Sequence, residues 1–177
     1  VNGDGLLDIY VSNAFDFETL IPLMVEPFAL NHPNQLWINE GNNRFRDGSA
    51  DAGIGGPPEV TWAAALVDYD LDGDLDILEA NDQAAIPRAA YGGVDRGPIR
   101  IYRNDGTGHF TDATPAPPFI GAHMGIDLAD LNHDGAHRLV GDDHRRAEHV
   151  IRQLRVVARP PALAGARRQG HGAVEAV

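Results

Sequence analysis

A single pattern that returns about every 65 residues constrains this chain more than any other feature of its sequence. An aromatic or aliphatic segment followed by an Asn/Gly turn and a Phe occupies residues 36–47, and residues 101–112 repeat it at an offset of 65. Each copy predicts a β-hairpin, because Asn, Asp and Gly tolerate the positive φ angles of tight turns and the flanking residues favour strands. Tandem units of this kind indicate a repeat fold.

An Asp-rich loop returns in phase with the hairpin. It occupies residues 2–8, 68–76 and 130–135, and its Asp-Gly pairs are 68 and then 62 residues apart. A four-stranded unit of this size, repeated in tandem, is typical of a β-propeller blade. One full period predicts four strands, with the loop joining the first pair and the hairpin joining the second: residues 63–67, 75–80, 99–103 and 109–113.

The predicted fold is all-β, a fragment of a β-propeller built from four-stranded blades of about 65 residues, with an irregular C-terminal tail. Residues 1–137 would hold about two blades. They contain six Arg and 22 acidic residues, whereas residues 138–177 contain eight Arg and four acidic residues. The tail is therefore expected to be either an Arg/Ala-rich linker outside the repeat or the product of a reading-frame change, with residues 148–157 as its candidate helix.

The second Asp loop has the residue types and the spacing of a calcium site. Calcium takes about six to eight oxygen ligands at about 2.3–2.6 Å, and short carboxylates two residues apart can converge on one centre. Without a cation, these charges would repel one another within a turn. We expect one residue to offer its backbone carbonyl (Asp74) and four to offer side-chain oxygens around the bend at Gly73: Asp68, Asp70, Asp72 and Asp76.

The other two loops are less complete. The first loop, whose opening ligand would fall before Val1, offers three candidate calcium ligands: Asn2, Asp4 and Asp8. The third loop has Arg138 where its last carboxylate is expected, and it also offers three: Asp130, Asn132 and Asp134. The sequence therefore predicts a partial calcium site in the first loop and a weak one in the third.

An EF-hand or dockerin-like calcium module is the main alternative for the second loop. The loop also fits that motif, with Glu79 at its twelfth position. The motif requires flanking helices, but Pro57 and Pro58 lie upstream of the loop, and downstream the chain soon reaches Asn81 and Asp82, which leaves little room for a helix. Because the other copies have Val11 and Gly141 in place of Glu79, we interpret Glu79 as a chance match.

Charge and composition narrow the range of partners. The chain has 26 acidic and 14 basic residues and a formal net charge of -12. Such a balance argues against nucleic acid, because binding phosphates requires clustered Lys and Arg. The absence of Cys excludes disulfides and thiolate metal sites, and no apolar stretch approaches the roughly 20 residues of a membrane-spanning helix. Because the chain starts at Val1 without an initiator Met, we expect the parent protein to extend upstream.

The second loop and the hairpin after it carry a family resemblance. The order Asp68-x-Asp70-x-Asp72-Gly73-x-x-Asp76, followed by an Asn-x-Gly hairpin that ends in Phe110, resembles the FG-GAP/VCBS repeats of integrin-alpha-like propellers. Within that group it is most similar to bacterial proteins related to the cartilage acidic protein family. The resemblance spans residues 1–135, although the Phe-Gly and Gly-Ala-Pro signatures are not evident. It implies calcium in loops between blade strands, further propeller blades in the parent chain or another copy, and an adhesion or ligand-binding role in the extracellular space or cell envelope.

Three functional hypotheses are consistent with these features. The favoured one is a calcium-stabilised extracellular scaffold that recognises protein or carbohydrate. The second is a polysaccharide lyase or hydrolase carried on a propeller, but no nucleophile with a neighbouring base is identifiable, so we do not expect an enzyme. The third is a truncated product without a function of its own. We expect the scattered histidines, such as His123, to lie in turns or on the surface, and Trp37, Trp62 and Tyr102 to be buried.

Overall fold

The computed structural model describes residues 1–14, 32–54, 56, 59–82, 96–130, 133, 138–141 and 154–155. These residues form no helix, and their strands build three antiparallel sheets, ordered β1-β2-β3, β4-β5-β6-β7 and β8-β9-β10, which we call the first, second and third sheets. The strands are β1 Ile9–Val11, β2 Gln35–Asn39, β3 Phe45–Asp47, β4 Val60–Val67, β5 Asp76–Asp82, β6 Ile99–Asn104, β7 Phe110–Asp112, β8 Ile126–Ala129, β9 Arg138–Gly141 and β10 Leu154–Arg155.

The three sheets are successive copies of one blade pattern. Strands β1 to β3 align with β5 to β7 at the sequence offsets of 68 and 65, and strands β8 and β9 align with β4 and β5 at the offset of 62. The second sheet is therefore a complete four-stranded blade. The first sheet supplies the last three strands of a blade, and the third sheet supplies the first three. The all-β, propeller-like fragment predicted from the repeat is confirmed.

All four strands predicted for the complete period are present in the second sheet. Strand β4 starts at Val60, three residues before the predicted boundary, and its pairing with β5 shifts between Thr61 and Ala63. The extra residue at this bulge interrupts the strict alternation of side chains. That interruption explains why the alternation in the sequence does not reveal residues 60–62 as part of β4.

The second sheet is covered on both faces. Ile77 of β5 packs in an apolar cluster with Leu36 of β2, Phe110 of β7 and neighbouring residues. The next residue, Leu78, belongs to a separate cluster that includes Leu128 of β8. Successive side chains of a strand point to opposite faces, so the first sheet packs against one face of the second sheet and the third sheet packs against the other.

The outward face of the first sheet is more exposed than its counterpart in the second. Ile9 and Phe45 align with Ile77 and Phe110 in the repeat. Ile9 is 47% exposed and Phe45 is 41% exposed, whereas Ile77 and Phe110 are 0% and 2% exposed. Equivalent apolar side chains are thus buried only where a neighbouring sheet covers them.

The third sheet extends beyond the boundary that composition suggests at residue 137. Strand β9 pairs with β8 through residues 138–141, and β10 pairs with β9 through Leu154 and Arg155. The expected helix at residues 148–157 is wrong for Leu154 and Arg155, which lie in a strand. The remainder of the predicted tail lies outside the described residues.

Candidate metal centre

The loop between β4 and β5 folds around its own carboxylates. Asp68 accepts hydrogen bonds from the backbone N–H groups of Asp72 and Gly73, each at 3.0 Å. Leu71 and Gly73 have φ angles of 62° and 100°, and this left-handed backbone favours a residue without Cβ such as Gly73. The bend expected at Gly73 is therefore present, and the carboxylate of Asp68 closes it through these two hydrogen bonds.

Three of the predicted ligands converge on one point. One oxygen from each of Asp68, Asp70 and Asp76 lies within 4.8 Å of the other two. Oxygens that are each about 2.3–2.6 Å from one calcium ion can be at most about 5 Å apart. The three carboxylates are therefore spaced as ligands of a single cation would be.

Asp70 provides the strongest sign that something is to be bound there. Its side chain is 8% exposed, and its Oδ1 is buried without a hydrogen-bond partner. Burial raises the pKa of Asp70, and burial also raises the pKa of Asp76 to about 6. A buried carboxylate oxygen without a donor is costly, and a bound cation would remove that cost.

Asp72 and Asp74 do not join the three converging carboxylates. Asp72 Oδ2 accepts a hydrogen bond from Arg103 at 2.8 Å, and its Oδ1 accepts one from the backbone of Asp74 at 3.2 Å. The hydrogen bond from Arg103 lowers the pKa of Asp72. The carboxylate of Asp74 faces Gly106, where an added Cβ would lie 2.7 Å from Asp74 Oδ2. The predicted side-chain role of Asp72 would therefore require its contact with Arg103 to change.

The hairpin between β6 and β7 holds this loop in place, and this contact explains why loop and hairpin recur together. Asn104 donates its backbone N–H to Asp76 Oδ1 at 2.8 Å and its side-chain amide to the carbonyl of Leu75 at 3.0 Å. Its side-chain oxygen accepts hydrogen bonds from Gly106 and Gly108 in the turn. One residue thus fixes both the turn and the last carboxylate of the loop.

The first loop repeats this arrangement. Asn39 donates its backbone N–H to Asp8 Oδ1 at 2.8 Å and its amide to the carbonyl of Leu7 at 3.0 Å. Asp8 Oδ2 also contacts the nitrogen of Val1 at 2.6 Å, as Asp76 Oδ2 accepts the N–H of Tyr69 in the second loop. Asn2 and Asp4 hydrogen-bond to each other at 2.9 Å. Asp4 and Asp8 belong to no group of three converging His, Cys, Asp or Glu side chains in the described part of the chain.

The third loop is described only in part. His133 has a φ angle of 58°, close to the 62° of its counterpart Leu71 and the 73° of Gly3 in the first loop. The left-handed backbone at this one position is therefore common to all three copies. Asp130 belongs to the described residues, whereas Asn132 and Asp134 lie outside them.

Strands rather than helices flank the second loop, so the EF-hand alternative lacks the elements it requires. Glu79, its twelfth-position residue, is 2% exposed in the middle of β5. Its Oε1 accepts hydrogen bonds from Tyr10 and from Asn34, the latter at 2.7 Å, and its Oε2 accepts one from Asn81. Glu79 thus belongs to a polar network between the first and second sheets, which sequence reasoning missed because its partners are far apart in the chain.

Two further expectations are wrong. His123 is 0% exposed and stacks on Phe119 with ring centroids 4.9 Å apart, so it is not a surface histidine. Trp62 is 41% exposed, and its indole N–H donates to Asp82 Oδ2 at 3.1 Å. The bulge beside Trp62 turns its side chain out of the core. Tyr102 is buried as predicted, at 4% exposed.

The sheets have three or four antiparallel strands and follow one another in tandem, with an acidic loop between the first two strands of a unit. This arrangement defines a propeller-type repeat protein. Comparison with protein families agrees, since the model of the FG-GAP-like repeat matches residues 1–79 and 89–139. The chain belongs to the FG-GAP-like repeat family, as its sequence resemblance predicts.

Two curated relatives share part of this repeat. Cartilage acidic protein 1 of Mus musculus is 41% identical over 51 residues, and the protein of the same name from Homo sapiens is 39% identical over 51 residues. Each match covers 29% of this chain and 8% of the relative, so the chain spans only a small part of these relatives' length. In the described part of the chain, no helix is both long enough and apolar enough to span a bilayer.

Proposed function

We propose that this chain is a calcium-stabilised binding scaffold, with its principal calcium site in the loop of residues 68–76. The observation that carries the proposal is the convergence of Asp68, Asp70 and Asp76 around the unpartnered Asp70 Oδ1. Asp68 and Asp76 are already oriented by backbone N–H groups. Each carboxylate oxygen can accept more than one interaction, so these hydrogen bonds leave room for a cation.

Calcium fits these ligands better than softer metals do. The donor set consists only of oxygens, which hard cations prefer, and a flexible loop suits the variable coordination of calcium better than the strict octahedron of magnesium. The loop is surface-exposed on one side, so we expect a dissociation constant in the range of extracellular modules, on the order of 10⁻⁴ to 10⁻³ M. The ion would join the ends of β4 and β5 and thereby stiffen the complete blade.

Calcium titration followed by thermal unfolding tests this proposal. At 10 mM calcium such affinities predict a stabilisation of about 1.4–2.7 kcal/mol, which corresponds to a rise in Tm of about 3–10 °C for a chain of this size. Asp70→Asn should abolish the rise. Asp51→Asn is the matched control, because it removes the same charge from a side chain that is 79% exposed outside the loops. Equal Tm values with and without calcium in the unsubstituted chain would refute the site.

The recognition function is proposed to take place outside the cytoplasm, with a protein or a carbohydrate as the ligand. Membership of the FG-GAP-like repeat family supports it, as does the acidic composition, which disfavours nucleic acid. A glycan array and a pull-down against extracellular matrix proteins, each with and without calcium, would separate the two ligand classes. Binding that is indifferent to both Asp70→Asn and chelation would contradict a calcium-stabilised scaffold.

A further inference from the structure

Arg103 occupies an unusual place beside the proposed calcium site. Its guanidinium Nε lies 2.7 Å from Asp70 Oδ2, and its Nη2 lies 2.8 Å from Asp72 Oδ2. The first contact lacks the alignment of a hydrogen bond, so it is mainly electrostatic. One arginine from β6 therefore neutralises part of the charge of two acidic residues in the loop.

This contact changes which carboxylates are available to a cation. The two carboxylate oxygens of Asp70 have different environments, because Oδ2 faces Arg103 while Oδ1 remains buried and unpartnered. Asp72 has both oxygens engaged, one by Arg103 and one by the backbone of Asp74. Asp72 is absent from the group of three converging carboxylates, although its position in the loop is that of a ligand.

We propose that Arg103 is an internal counter-ion of the loop, which holds it folded without calcium and competes with calcium for Asp72. The inference rests on the proposed calcium function. In the metal-free loop, the guanidinium lowers the repulsion between neighbouring carboxylates. When calcium binds, the same positive charge opposes the ion, and the exchange of Asp72 from Arg103 to calcium costs part of the binding free energy. Arg103 thus trades calcium affinity for stability in the absence of calcium.

The first loop supplies an internal comparison. The residue that aligns with Arg103 at the offset of 65 is Ile38, which packs against the apolar cluster between the first two sheets. No cation from this position can reach Asp4 or Asp8. The counter-ion is therefore a property of the second loop and not of the hairpin motif in general.

Arg103→Met tests the inference, because Met keeps much of the length of the side chain and removes its charge. Calcium affinity is measured by isothermal titration calorimetry on the full chain, and Tm is measured in calcium-free buffer. We expect Arg103→Met to bind calcium roughly two- to five-fold more tightly, as loss of a partly exposed ion pair would allow, and to unfold at a lower temperature without calcium. Arg103→Lys, which keeps the charge without the planar fork, should give intermediate values.

Arg46→Met is the matched control. Arg46 is 48% exposed on β3 and forms ion pairs with Glu40 and Asp51 outside the loop, so its loss changes the net charge equally. Calcium affinity should be unchanged in this variant. An affinity of Arg103→Met that equals or falls below that of the unsubstituted chain would overturn the role of Arg103 while leaving the calcium site intact. If neither protein binds calcium, both proposals fail. If only Arg103→Met binds it, the opposition of Arg103 to calcium is supported, but the proposed calcium function of the unsubstituted chain is refuted.

Discussion

Replacing Phe110 with Ala should destabilise this chain far more than replacing Phe45 with Ala, although the two residues hold the same place in the repeat. Phe110 begins β7, is 2% exposed and packs in the cluster between the first and second sheets. Its backbone N–H also donates to the carbonyl of Ala52 at 2.7 Å. Phe45 begins β3 and is 41% exposed on the outward face of the first sheet. The comparison therefore measures what coverage by a neighbouring sheet contributes.

The expected costs differ by at least about 2 kcal/mol. Removing a fully buried Phe side chain costs about 3–5 kcal/mol, because the apolar contacts are lost and a cavity remains. Removing one that is already two-fifths exposed leaves no enclosed cavity, and the smaller loss of buried area costs about 1 kcal/mol. With an m-value of about 1–3 kcal/mol/M in urea, Phe110→Ala should lower the unfolding midpoint by roughly 1–5 M.

Urea unfolding followed by tryptophan fluorescence, in the presence of calcium, measures the free energy of unfolding of both variants under the same conditions. Each variant should be examined at two protein concentrations, since burial of the outward face by another copy would make the cost of Phe45→Ala depend on concentration. Equal costs for the two substitutions at low concentration would refute the packing argument. A larger cost for Phe45→Ala would mean that the outward face, not the covered one, carries the stability.

Two other results are expected. In calcium-free buffer, the free energy of unfolding should fall by up to about 3 kcal/mol as the pH rises from 4 to 7. Burial raises the pKa of Asp76 to about 6 from an ordinary 3.8, and each pKa unit corresponds to about 1.36 kcal/mol. Chemical denaturation at several pH values checks this prediction, and saturating calcium should remove the dependence on pH. Asn104→Ala should lower the free energy of unfolding by about 2–4 kcal/mol, because it leaves the carbonyls of Leu75 and Val1 without their buried donor. Asn39→Ala should lower it by about half as much. Thermal unfolding compares the two variants, and equal losses would contradict the role of Asn104 as a donor to both loops.

The repeat and the loop could be predicted from the sequence because both depend on local chemistry. The Asn/Gly turn, the bend at Gly73 and the alternating strands are encoded within a few residues of where they form. The period then places equivalent strands in equivalent sheets without any knowledge of long-range contacts. For the same reason, Asp68, Asp70 and Asp76 could be named as candidate ligands from their spacing, whereas the absence of Asp72 from the converging group could not.

Contacts between distant segments could not be predicted in this way. Arg103 looks like an ordinary strand residue until β6 is laid beside β5, which brings it to Asp72. Glu79 looks like a chance motif match until Tyr10 and Asn34 from the first sheet meet it. Trp62 was misjudged because a bulge reverses which face a side chain takes, and alternation does not reveal where a strand bulges.

Asn104 connects two successive acidic loops through hydrogen bonds. Its amide donates both to the carbonyl of Leu75 in the second loop and to the carbonyl of Val1 at the entrance of the first. Ordering of one loop is therefore expected to restrict the motion of the loop beside it. If calcium occupies successive loops as proposed, binding in one loop is expected to favour binding in the next, and uptake should rise more steeply with calcium concentration than it would for isolated turns.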